Sequence, residues 1–186
     1  MTEQNPIRLV QNASALKQTV EQLHDCDGLA IDTEFHAERR HQPELMLVQV
    51  NDLRGTTWII DPLAVDITSL GALIAKQHVV LHSGAQDLAI LWRETQQSPL
   101  SVFDVQLAAG MIGMRHPMRL NEIVRDLMDE PMDKGATLSD WSTRPLSHDQ
   151  LAYAVRDVEV LGPLTDQLQD RIEALGRTEW LHEECD

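Results

Sequence analysis

Three short apolar runs, GLAIDTEF, LMLVQV (45–50) and TTWIIDP (56–62), lie close together, and the last two are separated only by NDLRG. This spacing constrains the fold more than any other feature. Each run has strand length and composition, and Asn, Asp and Gly in the connection suit a tight turn. Three strands joined this closely form an antiparallel meander. The pattern then changes. Residues 66–76 place Ile67, Leu70, Leu73 and Ile74 on one helical face. HVVLHS (78–83) reads as a strand, with Ser83 as the cap of a helix over GAQDLAILWRE. A strand then runs into a helix over residues 102–112, and RLNEIVRDLM is a further helix. A meander followed by helix–strand alternation predicts an α/β fold, with a mixed sheet between helices.

Two helix caps are legible. Asn12 begins a helix over ASALKQTVEQLHD, and SHDQ (147–150) has the capping-box pattern of Ser three residues before Gln. The stripe Leu151, Val155, Val158, Leu161, Leu164, Leu168 and Ile172 predicts one long helix from that cap to about Leu175. Residues 129–146, DEPMDKGATLSDWSTRPL, have little periodicity and two prolines. An irregular connection of that length inside a compact domain is commonly functional. Its Trp141 either faces a partner or packs down and pins the loop.

The 186 residues suit one domain, spanning 1–186, with a sizeable core. No apolar run approaches the roughly 18 residues of a membrane helix, and no signal peptide is apparent at MTEQNPIRLV. The two cysteines, Cys26 and Cys185, are not a disulfide framework, so a reduced, cytoplasmic protein is expected. His24 with Cys26, and His182 with Cys185, lack the partner spacing of a structural zinc site. The net charge of −15 counts against a general polyanion binder. It leaves room for a nucleic-acid enzyme that grips a few nucleotides through metal ions.

Asp32 and Glu34 are two apart on a strand and therefore share a face. Alone, the pair reads as a solvated strand exit. Asp87, in the first turn of its helix, reads alone as a carboxylate favoured by the helix dipole. Tyr153 and Asp157 share one face of the long helix, close to its buried stripe, and need polar partners there. Together, four acids and one tyrosine from three elements suggest a common site. Clustered carboxylates repel, and divalent cations remove that cost. Mg²⁺ prefers such oxygen ligands, and a cation pair about 3.5–4 Å apart suits phosphoryl displacement. A nearby tyrosine hydroxyl suits orienting the attacking water.

IDTEF, HSGAQDLAIL and YAVRD resemble the three exonuclease motifs of the DEDD 3′–5′ exonucleases, and the tyrosine four residues before the last Asp marks the DEDDy branch. DTEFHAERRHQPELMLVQV, FDVQLAAGMIG and DKGATLSDWSTRPLSHDQLAYAVRDVEVL are similar to the catalytic domain of the ribonuclease D group, from about Ile31 to Trp180. The resemblance implies a ribonuclease-H-like fold with a mixed five-stranded sheet. It implies release of nucleoside 5′-monophosphates from single-stranded 3′ ends, with RNA favoured over DNA, as in tRNA 3′ trimming. Asp32 would bridge two Mg²⁺ or Mn²⁺ ions, Glu34 and Asp157 would complete one site, Asp87 would support the other, and Tyr153 would position water. Phe35, which otherwise packs in the core, would meet a terminal base, and His82 a phosphate or the 3′ hydroxyl. Lys134 and Trp141 would line the substrate path. Arg39, Arg40 and Arg144 are candidate backbone contacts.

Ribonuclease D proteins commonly carry helical HRDC domains, and here the chain stops at LHEECD, where one would begin. Either this is a stand-alone exonuclease or the sequence is a fragment of a longer protein; a monomer with no membrane partner is expected. Hydrolysis of DNA or of very short oligonucleotides is the alternative. A non-catalytic RNA-binding module would have no physical reason to hold four repelling carboxylates.

Overall fold

The structure, a computed structural model, describes residues 7–37, 42–132 and 139–185. The meander is present as β2 (Leu29–His36), β3 (Glu44–Asn51) and β4 (Thr57–Ile60), paired antiparallel in that order. β5 (His78–Leu81) and β6 (Ser101–Asp104) extend the sheet in parallel beyond β2. β1 (Ile7–Val10) adds a parallel strand beyond β4. Among the described residues the sheet therefore has six strands, in the order β1-β4-β3-β2-β5-β6, where the resemblance implies five. The sequence reading missed β1 because its four residues are too few for a period and only Val10 is buried.

Helices cover both faces. α1 (Ala13–Leu23), α2 (Thr68–Ile74) and α3 (Ala85–Thr95) pack Leu16, Leu23, Leu70, Ile74, Ile90 and Leu91 against Ile31, Val48, Val50 and Val79. α4 (Val105–Met111), α5 (Leu120–Met128), α6 (His148–Glu159), α7 (Leu161–Ala174) and α8 (Thr178–Cys185) form the other layer, over Ala30, Val80, Leu47 and Ile59. Asn12 caps α1, its Oδ1 accepting the Ala15 N–H at 2.9 Å. Both halves of the Ser147–Gln150 capping box form. No helix among the described residues is long and apolar enough to cross a membrane, and Cys26 and Cys185 are not joined in a disulfide.

Two expectations need correction. The long helix is two helices that meet at Val160. Pro163 has no N–H to donate to the Glu159 carbonyl, so the hydrogen-bond ladder breaks there and Pro163 sits in the first turn of α7, where proline is tolerated. Ser83 does not cap α3. Its φ of 58° is left-handed, and the cap position belongs to Gly84. The Asp104 carboxylate organises this turn instead, accepting the N–H groups of Ser83 and Gly84 at 3.0 Å each while it caps α4 through Gln106 N–H at 2.8 Å.

Candidate active site

The site forms where β2 leaves the sheet. Side-chain alternation puts Asp32 and Glu34 on the face covered by α6, opposite Gln49 and Leu47 of β3. A register shift between Glu34 and Phe35 bends the strand end, as a bulge does. α6 packs across β2, β3 and β4 and brings Asp157 down to the pair. Carboxylate oxygens of Asp32, Glu34 and Asp157 all lie within 4.8 Å of one another. Tyr153, one helical turn earlier, hydrogen-bonds the Asp157 carboxylate.

Asp87 arrives from the opposite helix layer, in the first turn of α3. It stands outside the tight trio and accepts a short hydrogen bond from the Thr33 hydroxyl. All four acids and Tyr153 line one cleft of about 890 Å³.

Electrostatics set the character of this wall. Burial raises the Asp32 pKa well above the usual carboxylate range, and Asp87, Asp157 and Glu34 raise it further. Burial, then Asp157 and Asp87, push Glu34 up to about 8. Burial lifts Asp157 to about 6 against the opposing Tyr153 hydrogen bond. Asp87 is raised by burial, and its hydrogen bond from Thr33 opposes the rise. No Lys or Arg pairs with these four among the described residues. A set of half-buried carboxylates without cationic partners fits hard divalent cations. Such ions offset the cost of burying these charges, and the mutual repulsion that adds to it at Asp32 and Glu34.

The remaining sequence candidates separate. Phe35 lines the cleft and also rests against the core. His82 lines it too, but its Nε2 meets the Met118 carbonyl at 2.9 Å. Burial holds the His82 pKa down, so the neutral ring donates that bond. Trp141 is 3% exposed, packed among Met46, Leu47, Ile59, Ala154 and Val155, with its ring 6.1 Å from Tyr153. It supports the wall behind Tyr153 and is not among the residues that line the cleft. Arg144 is likewise no free backbone contact. Its guanidinium binds both oxygens of buried Asp61, at 2.7 and 2.9 Å, and the Met46 carbonyl at 2.8 Å. Lys134, Arg39 and Arg40 lie outside the described residues.

A 3′–5′ exonuclease family profile matches residues 7–173. The chain belongs to the 3′–5′ exonuclease family. It is 36% identical over 183 residues to the ribonuclease D of Zymomonas mobilis, covering 96% of this chain and 47% of that protein. The crystal structure of Escherichia coli RNase D, an exoribonuclease involved in structured RNA processing, superposes with a TM-score of 0.91 at 29% identity, over 97% of this chain and 48% of that one. The chain thus spans about half the length of the curated relatives it matches. Brucella melitensis NrnC, solved with pGG, superposes with a TM-score of 0.80 at 29% identity, over 96% of this chain and 87% of that one. NrnC has also been solved with bound Mg²⁺. The mixed sheet and its two helix layers are thereby the ribonuclease-H-like core of these exonucleases.

Sequence reasoning missed much of the cleft. Thr33, Gln106, Arg115, Met118, Arg119, Leu120 and Asn121 all line it. The two arginines of MRHPMR are conspicuous in so acidic a chain, and that contrast was the available signal. Asp104, which fixes the turn before α3, was legible as an N-cap residue between a strand and a helix.

Proposed function

We propose that the chain is a 3′–5′ exonuclease that uses two divalent cations, Mg²⁺ or Mn²⁺, to release nucleoside 5′-monophosphates from single-stranded RNA ends. The observation that carries this reading is the convergence of Asp32, Glu34 and Asp157 oxygens within 4.8 Å, beside Tyr153, in an open cleft. Asp32 would serve both ions. Glu34 and Asp157 would complete one site, and Asp87 would support the second. When bound, the ions supply positive charge that stabilises the attacking and leaving oxygens of the displacement.

The chain's own residues then orient the reaction. Tyr153 donates to Asp157, which fixes the direction of its phenol oxygen. That oxygen can also accept a hydrogen bond from water, holding it in line with the terminal phosphodiester. The water oxygen bonds to phosphorus, the bond to the 3′ oxygen breaks, and that oxygen leaves with a proton. Phe35, at the cleft wall, offers a ring face to the terminal base. His82 positions this machinery through Met118.

A second reading concerns length. Similarity to NrnC extends over 87% of that protein, and a cleft of about 890 Å³ is of small-ligand size. Very short oligonucleotides are therefore the competing substrate class. A time course on 5′- and 3′-labelled RNA and DNA of several lengths, with Mg²⁺, Mn²⁺ or EDTA, decides both questions. Stepwise shortening of 5′-labelled RNA that stops in EDTA is expected. Internal cuts, or no cleavage with either ion, would overturn the proposal.

A further inference from the structure

The cleft has two chemically opposed walls. One is acidic: Asp32, Glu34, Asp87 and Asp157. The other is the connection from α4 into α5, residues 115–121, which brings Arg115, Arg119 and Asn121 to the same cleft. Among the described residues, these arginines are the Lys or Arg side chains that line it.

This second wall is fixed in place. The Met118 carbonyl accepts from Gln106 Nε2 at 3.0 Å and from His82 Nε2 at 2.9 Å. Met118 itself is buried in the core. The Glu122 carboxylate accepts the Arg119 backbone N–H at 3.2 Å, so it closes the start of α5 from below. The Arg119 side chain is exposed, and no ion pair engages its guanidinium among the described residues. Arg115 makes one exposed ion pair, to Glu122 at 2.8 Å. Exposed pairs of this kind are weak, so Arg115 can exchange Glu122 for a phosphate. A second cavity of about 380 Å³ adjoins the first, shares Arg115 and Met118 with it, and adds Arg125, Glu122 and Asp126; Arg125 makes an exposed ion pair to Asp126 at 2.7 Å, as Arg115 does to Glu122.

We infer that Arg119, Arg115 and Arg125 form a track for the sugar–phosphate backbone of the substrate strand, gripping phosphates other than the one being cleaved. The inference rests on the nuclease reading above. The acidic wall repels every phosphate that no cation neutralises, so a strand longer than two nucleotides needs a cationic path out of the site. In a chain of net charge −15 that path is local, and guanidinium groups suit bidentate phosphate contacts. The track makes affinity rise with strand length beyond the nucleotides at the acids.

The test compares the unmodified chain with Arg119→Gln, Arg119→Glu and Arg115→Glu, and with Arg171→Glu on α7, outside both cavities, as a charge-matched control. KM and kcat are measured on labelled RNA of two, four and seven nucleotides at several salt concentrations. Binding of the seven-mer is read separately by fluorescence anisotropy. The expected result is a seven-mer KM and Kd raised in the order Gln then Glu at position 119, reaching about tenfold, with a smaller change on the dinucleotide. The slope of log Kd against log salt should also flatten by about 0.7 for each phosphate that is no longer gripped. A seven-mer Kd equal to that of Arg171→Glu in both charge-reversal variants would overturn the track. If the unmodified chain cleaves nothing, the nuclease reading fails. Weakened binding in the position-119 and position-115 variants would then still support the track, and unchanged binding would sink it.

Discussion

The Thr33 hydroxyl donates to the carboxylate of Asp87 from the face of β2 opposite Asp32 and Glu34. Consecutive residues of one strand thus serve both helix layers. Asp32 and Glu34 meet Asp157 of α6, and Thr33 steadies Asp87 of α3. This is how acids from both sides of a sheet come to line one cleft. Thr33→Val keeps the shape and removes the donor. It should raise the Asp87 pKa and weaken divalent-cation binding by about 10–100-fold, measured by calorimetric titration with Mn²⁺. Thr33→Ser should restore most of the affinity.

The raised carboxylate pKa values have a sign that can be checked. Glu34 titrates near 8 and Asp157 near 6 in the cation-free fold, above their ordinary values of 4.5 and 3.8. Between those limits the folded chain binds more protons than the unfolded chain, so stability falls as pH rises. The penalty is absent below about pH 4 and complete above about pH 8. In EDTA, Tm should therefore fall from pH 5 to pH 8. Saturating Mg²⁺ or Mn²⁺ should reverse the fall, with the largest rescue at the alkaline end. Glu34→Gln should flatten the EDTA profile and raise Tm at pH 8.

Tyr153 hydrogen-bonds Asp157 and stands beside the trio. Tyr153→Phe retains the ring that packs near Trp141 and removes the hydroxyl. It should lower kcat by about 10²–10⁴-fold, the usual range for losing a group that positions or transfers a proton. KM should change little, because in the proposed mechanism the hydroxyl acts on water and not on the strand. Steady-state kinetics on a labelled RNA oligomer separate the two.

Arg144 is a structural arginine, in contrast with the arginines of the proposed track. Its partner Asp61 is 2% exposed in its side chain, and the same guanidinium ties the loop at Trp141 to β3. Arg144→Ala leaves the buried Asp61 carboxylate without its cationic partner and with only the Gln11 amide and the Leu63 N–H as donors, which costs about 3 kcal/mol. Each kcal/mol lowers Tm by about 2–4 °C in a domain of this size. Thermal unfolding should show that loss, while KM of the remaining folded enzyme stays near that of the unmodified chain.

The strands and most helices were legible because their signals are local. An apolar run with turn residues at its ends reads as a strand whatever packs against it, and Asn12 and SHDQ behave as caps in isolation. β1 was missed because its sheet position depends on β4, some fifty residues away. The break at Val160 was written in Pro163, but the apolar stripe continues through it and masked it. The four clustered acids were legible as motifs, not as geometry. Spacing placed Asp32 with Glu34 and Tyr153 with Asp157, but only the packing of α6 across β2 brings the two pairs together. Trp141 and Arg144 show the converse. Their residue types suggest nucleic-acid contacts, and tertiary packing commits both to the core side of the wall.

If Asp32, Glu34, Asp157 and Asp87 act together on a pair of divalent cations, the number of ions bound must depend on them. Calorimetric titration of Mn²⁺ into the unmodified chain, Asp32→Asn and Asp157→Asn reads that number, with unfolding curves confirming that each variant is folded. Two Mn²⁺ should bind per unmodified chain, each variant should lose at least one, and both should hydrolyse RNA at least about a hundredfold more slowly. Unchanged stoichiometry and unchanged hydrolysis in the folded variants would contradict the shared cation site.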